Sequence, residues 1–290
     1  MKRVRGPALA GPLCVAFLLV AGCSRTLLGP SPIHHPQWYG VVTQIWSPQH
    51  AAWTAQLGTG WVRLDFNWFE IEPARGQYDW TTLDGRVADA ASYGLGIYAS
   101  LAYTPAWAGP CEHCMPNDVG DWRQFVEEVM RRYRRYPIVY GIWNEPNLQF
   151  LNDAPDGSGY VTLFERAHMA RLAANAGAIL AGPETSHHAQ PEYLQAVLAR
   201  ILPVMQAADV VAVHYYPDAP TDVGSYMAGV ERIAAGHQVW LTETGMGTCD
   251  EGMQSAFYST VLDAFVQRGR TWWPRVFFYV LHDGEECSGA

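Results

Sequence analysis

The sequence is poor in charge. Asp, Glu, Lys and Arg together make up 16% of its 290 residues, against 49% apolar residues. Such a chain can bury a large core, and its composition argues against disorder or nucleic-acid binding. It also lacks a run long enough for a comfortable membrane span. Its most apolar stretch, Ala8 to Ala21, falls short of the ~20 residues a spanning helix needs. No Gly-x-Gly-x-x-Gly turn follows the first strand-like segment, which lowers a dinucleotide-binding reading. Internal repeats and low-complexity segments are absent too. Aromatic residues are plentiful, with 12 Trp and 15 Tyr. They serve first as core filling, and alternatively as stacking platforms in a groove.

The N-terminal segment reads as a targeting signal. Lys2, Arg3 and Arg5 precede the apolar run, which ends in Val20-Ala21-Gly22-Cys23-Ser24. This end resembles the lipobox of bacterial lipoproteins. The resemblance implies removal of residues 1–22, lipidation of Cys23, and a chain tethered to a membrane without spanning it. An ordinary secretory signal is the alternative, and it exports the chain as well. Ser24 resembles the outer-membrane sorting pattern of Gram-negative cells, so the expected location is the cell envelope. Residues 23–36 read as a Pro-, Ser- and Gly-rich tether. Removing the three leading cations takes the formal net charge from −9 to −12, which disfavours a polyanionic substrate or nucleic acid.

Cys111, Cys114, Cys249 and Cys287 remain after cleavage. An even number in an oxidising compartment suggests disulfides, and four cysteines allow three pairings. Cys111-Glu112-His113-Cys114 can close a small local ring, which would leave Cys249 with Cys287. Its spacing also suits a zinc site, but no second Cys/His pair of matching spacing is present. No metal and no cofactor are expected.

From residue 37 to 290 the chain alternates strand-like and helix-like segments. The candidate strands are Tyr39–Thr43, Trp61–Asp65, Gly96–Ala102, Val139–Trp143, Ala178–Ala181, Val210–His214, Val239–Thr242 and Arg275–Leu281. Most lack polar alternation, as expected of parallel strands buried on both faces. Helical patterns cover Asp121–Tyr136, Tyr160–Ala176, Pro191–Met205, Val223–Ala235 and Glu251–Arg268. Asn117-Asp118 supplies cap residues for the first of these. Eight such units predict an α/β protein, a (β/α)8 TIM barrel. After the eighth strand few residues remain, which predicts a barrel incomplete at its eighth helix.

Residues at the C-terminal ends of barrel strands face a common pocket. Strand four ends in Trp143-Asn144-Glu145-Pro146-Asn147 and strand seven in Thr242-Glu243-Thr244-Gly245. Two carboxylates at one mouth suit glycosidic-bond cleavage: one protonates the leaving oxygen, the other attacks the anomeric carbon or activates water. Arg63 and Tyr216 are placed to hold Glu243 ionised, and Asn144 to bind a sugar hydroxyl. Trp68, Trp107, Tyr279 and His282 are candidate substrate contacts. Glu184, near strand five, reads as a loop or rim residue.

Ile142-Trp143-Asn144-Glu145-Pro146-Asn147 resembles the Asn-Glu-Pro signature of the clan A retaining glycoside hydrolases. Trp240-Leu241-Thr242-Glu243-Thr244-Gly245 resembles their nucleophile strand. Arg63, His214 and Tyr216 match further active-site positions, and Trp61 to Trp80 is similar to family 39 and family 5 members. The resemblance spans roughly Trp38 to Asp283. It implies Glu145 as acid/base, Glu243 as nucleophile and a covalent glycosyl-enzyme. The expected partner is a carbohydrate substrate, and the expected state a monomer. The Trp that many members carry on strand eight is replaced here, with Tyr279 or His282 in its region. A non-catalytic carbohydrate-binding lipoprotein on a barrel scaffold is the alternative.

Overall fold

The computed structural model describes residues 38–43, 46–187, 191–217, 223–268 and 271–280. Residues 1–22, the tether, Cys23, His282 and Cys287 lie outside them. So does the stretch from 281 to 290, where a helix after the eighth strand would stand. Among the described residues no helix follows that strand.

The elements run β1 (Tyr39–Val42), α1 (Pro48–Gln56), β2 (Trp61–Asn67), α2 (Trp68–Ile71), α3 (Thr81–Ser92), β3 (Gly96–Ala102), α4 (Val119–Tyr133), β4 (Ile138–Ile142), α5 (Ser158–Ala174), β5 (Ile179–Thr185), α6 (Pro191–Ile201), β6 (Val210–Tyr215), α7 (Val223–Ile233), β7 (Val239–Thr244), α8 (Glu251–Arg268) and β8 (Arg275–Phe278). All neighbouring strands are parallel, and β8 pairs with β1, closing an eight-stranded barrel. The expected α/β barrel is the observed one.

Local chemistry explains the elements. Asp118 caps α4, its carboxylate accepting from the Gly120 N–H at 2.7 Å. One face of α4 then buries Trp122, Phe125, Val126 and Val129. The helix α1 lay outside the segments the pattern marked, because only Ala51 and Thr54 on it are buried and no apolar stripe announces it. Two apolar layers result. One lies between strands and helices. The other fills the barrel floor with Val42, Trp61, Tyr98, Val139, Trp240 and Phe277. Trp61 and Trp240 meet edge-on with ring centroids 5.2 Å apart. Above this plug the interior turns polar.

Two irregularities decide what stands in that polar layer. Between β5 and β6, Pro183 faces Ala212 and Thr185 faces Val213, so β5 carries one residue more, Glu184. Between β6 and β7, Val213 faces Leu241 and His214 faces Glu243, so β7 also carries one more. An extra residue shifts the two-residue alternation of side chains by one step. Ala181 and Trp240 belong to the inner layer. By strict alternation Glu184 and Glu243, each three residues further on, would point outward. The bulges turn both inward.

A buried ion pair ties the barrel's other end. Arg171 and Asp209 are both fully buried, with Nη1 2.6 and 2.7 Å from the two carboxylate oxygens. Asp209 also accepts from the backbone N–H groups of Leu180 and Gln206, so it joins α5, β5 and the entry to β6. Asp209→Ala would strand a buried guanidinium and is expected to cost about 3–5 kcal/mol. Chemical denaturation would measure it. A loss under about 1 kcal/mol would show that water reaches Arg171.

Candidate active site

Arg63 on β2 is the centre of the polar layer. Its guanidinium donates to Glu243 Oε1, to Asn144 Oδ1 at 2.9 Å, to Glu184 Oε2 at 3.0 Å and to Ser100 Oγ at 3.3 Å. Asp65, two residues along the strand, lies 3.9 Å from it. Burial opposes the charge on Arg63, but Glu243, Glu184 and Asp65 outweigh burial and hold it firmly protonated.

Glu243 at the end of β7 is held from two sides. Arg63 reaches one carboxylate oxygen, and the Tyr216 hydroxyl donates to the other at 2.6 Å. Burial, followed by the negative charge of Glu243, pushes the Tyr216 phenol far up, so it stays a donor. His187 accepts from the Tyr216 N–H at 3.0 Å and fixes the loop carrying that phenol.

Glu145, just beyond β4, bonds to His214 on β6, Nδ1 to Oε1 at 3.0 Å. His214 is fully buried, and burial alone would lower its pKa. The charge of Glu243, the hydrogen bond to Glu145 and the nearby Glu184 carboxylate reverse this and raise it to about 9. Burial pushes the Glu145 carboxyl up, but His214 and then Arg63 pull it below the ordinary value. At neutral pH the resting pair is therefore carboxylate and imidazolium, with one proton between them.

One oxygen of Glu145, one of Glu243 and one nitrogen of His214 lie within 4.8 Å of one another. Three such groups could in principle hold a metal. Here the Arg63 guanidinium supplies the central positive charge, and Tyr216 and His214 donate to the carboxylates. That donor set is an ion-pair network rather than an open coordination shell. At Cys111-x-x-Cys114 the zinc alternative fails, because the two sulfurs form a disulfide with Cα atoms 5.1 Å apart. Cys249 is disulfide-bonded as well.

Backbone strain gathers at the site. Tyr103, Trp143, Glu145 and Glu184 have φ of 74°, 63°, 39° and 52°. A non-glycine residue there costs of order 1–3 kcal/mol and persists where its surroundings hold it. The Glu145 N–H donates to the Glu184 carbonyl at 3.2 Å, and Asn147 and Ser186 exchange two hydrogen bonds beside it.

The structure thus brings together Arg63, Asn144, Glu145, His214, Tyr216 and Glu243. Tyr279 joins them past the end of β8, half-buried and edge-on to Tyr216 with centroids 6.0 Å apart. Two sequence expectations, for Trp68 and Glu184, need correction. Trp68 is fully buried, enclosed by Trp107, Trp122 and Phe125, with its N–H on Glu72 at 2.7 Å. It is a core residue and offers no face to a sugar. Trp107 lies under Arg75 at 4.7 Å and donates to the Glu72 carbonyl. It is half-buried and meets Trp68 of α2 edge-on, with ring centroids 5.6 Å apart. Glu184 is a floor residue with no exposed surface, not a rim residue. The signal that could have found it is Gly182-Pro183, since glycine and proline inside a strand mark bulges. Beside Asp65 a cavity of about 290 Å³ opens between Asn67, Glu70, Asp79 and Arg86, and neither Glu145 nor Glu243 lines it.

A family model described as "Glycosyl hydrolase catalytic core" matches residues 102–288. No curated protein is detectably similar in sequence. Among solved structures, a family 39 glycoside hydrolase from the gut symbiont Bacteroides cellulosilyticus WH2 superposes with a TM-score of 0.67 at 20% identity, over 83% of this chain and 56% of its own. A monomeric β-xylosidase from Caulobacter crescentus CB15 does so at 0.67 and 19% identity, over 87% and 61%. An endo-β-1,4-glucanase from Xanthomonas axonopodis pv. citri gives 0.67 at 13%, over 84% and 88%. At these identities the likeness is one of fold. The chain spans less than two thirds of the first two relatives.

Proposed function

The chain belongs to the glycosyl hydrolase catalytic core family, and from that premise we propose that it hydrolyses β-linked O-glycosides of an oligo- or polysaccharide with retention of configuration. The observation that carries the reading is the close approach of Glu145 and Glu243, one oxygen of each within 4.8 Å of the other. Retaining pairs stand ~5–5.5 Å apart, whereas inverting pairs stand ~6.5–9.5 Å apart to admit water.

In this reading Glu243 attacks the anomeric carbon as Glu145 protonates the departing oxygen, leaving a glycosyl ester on Glu243. Water then attacks that carbon. Glu145 takes the water's proton, and Glu243 leaves as carboxylate. The resting proton lies on His214, one hydrogen bond from Glu145. A bound sugar expels water and disfavours the separated charges, so the proton moves onto Glu145 where the leaving oxygen can take it. Asn144, oriented by Arg63 and by donating to Tyr103 at 3.1 Å, keeps a second amide N–H that a sugar hydroxyl would accept.

Incubation with a panel of aryl β-glycosides, followed by NMR of the anomeric proton, tests the proposal. The β-anomer is expected to appear first. First appearance of the α-anomer would overturn retention. Binding to sugars without turnover would favour a carbohydrate-binding barrel.

A further inference from the structure

Glu184 is the buried group whose chemistry the proposed cycle leaves unassigned. It has no exposed surface, so it cannot touch substrate. Its carboxylate accepts from Tyr98 Oη at 2.8 Å, Arg63 Nη2 at 3.0 Å and Ser100 Oγ at 3.3 Å. His214 Nε2, itself buried and without a hydrogen-bond partner among the described residues, lies 3.6 Å from it, at ion-pair distance. The barrel makes room for this carboxylate. A Cβ added at Gly141 on β4 would lie 2.0 Å from Glu184 Oε1. The backbone holds it too, through the bulge in β5 and the bond from Glu145 N–H to its carbonyl.

We infer that Glu184 is a positioning residue, the fixed counter-ion that holds Arg63 against Glu243 and keeps His214 as the proton-bearing partner of Glu145. The inference rests on the proposed double displacement. In that cycle Glu243 alternates between a carboxylate and a neutral ester, and Glu145 between acid and base. Each time Glu243 becomes an ester, Arg63 loses one carboxylate partner. Glu184 takes no part in the displacement, so it keeps Arg63 paired throughout and stands beside the His214 imidazolium while Glu145 is a carboxylate. Among the described residues, the charged or titratable groups around His214 are Arg63 from β2, Glu145 past β4, Glu184 from β5, Tyr216 past β6, Glu243 from β7 and Tyr226 from α7, whose hydroxyl donates to the His214 carbonyl. Glu184 is the carboxylate that the chemistry leaves untouched.

Glu184→Gln keeps the shape and removes the charge. It is expected to lower kcat/KM about a hundredfold. It should also move the alkaline limb of the pH profile. In the wild type the Glu145–His214 pair loses its proton as pH rises through about 9, so activity falls there. Without Glu184 the imidazolium is less stabilised and the fall comes at lower pH. Glu184→Asp retains the charge and should keep the limb near its wild-type position. A folded Glu184→Gln with the wild-type limb would overturn the inference, since a merely structural residue would change stability and leave the limb in place. If Glu184→Gln does not fold, ¹⁵N NMR of the wild-type His214 imidazole decides. A cation at pH 8 supports the inference, and a neutral ring at that pH overturns it. The NMR measurement needs no substrate, so a failure of the hydrolase reading would show separately, as absence of turnover in the wild type.

Discussion

Glu243→Gln is expected to lower turnover of an activated aryl β-glycoside by at least about a thousandfold with the fold intact. The amide is nearly isosteric with the carboxylate, so Tyr216 can still donate to its oxygen and the barrel loses no packing. What is lost is the proposed nucleophile and one of the counter-charges of Arg63. The remaining Glu184 should keep that guanidinium compensated, which is why the variant is expected to fold. A 2-deoxy-2-fluoro glycoside with a good leaving group should add its sugar mass to the wild-type peptide carrying Glu243 and leave the variant unlabelled. Activity within tenfold of wild type would falsify the nucleophile assignment. Label on another carboxylate would move the assignment there.

Glu145→Ala separates the two steps. Loss of a general acid costs about 10²–10⁴ where the leaving group needs a proton. Natural oligosaccharides need that proton, and a dinitrophenolate hardly does. The variant should therefore be crippled on the former, while on the dinitrophenyl glycoside glycosylation remains fast and deglycosylation becomes limiting. The cavity left by the side chain can admit azide, which attacks without base assistance. Azide should then accelerate the variant and yield a β-glycosyl azide. An α-azide, or equal loss on both substrates, would remove Glu145 from the acid/base role. His214 should change with it, because its Nδ1 loses a hydrogen-bond partner.

The barrel and the two glutamates were legible along the chain for a shared reason. A parallel strand buried on both faces reads as a short apolar run, and a polar residue closing such a run stands out. Trp143-Asn144-Glu145 and Thr242-Glu243 are such endings. The aromatic residues were harder to place. Trp68 and Tyr279 both follow strand ends, yet one lies inside the core against α4 and the other stands beside Tyr216. Nothing local distinguishes them, because which face of a loop is covered depends on helices far away in sequence.

The alternation of strands and helices is written along the chain, and with it a closed barrel and a mouth carrying Glu145 and Glu243. Tertiary structure decided which way side chains point. Glu184 and Glu243 both sit one step out of phase with the inward Ala181 and Trp240, and a bulge in each strand turns them into the barrel. Strands apolar on both faces show no alternation to reveal a bulge, and the pairing register that creates it exists only once the neighbouring strands are in place.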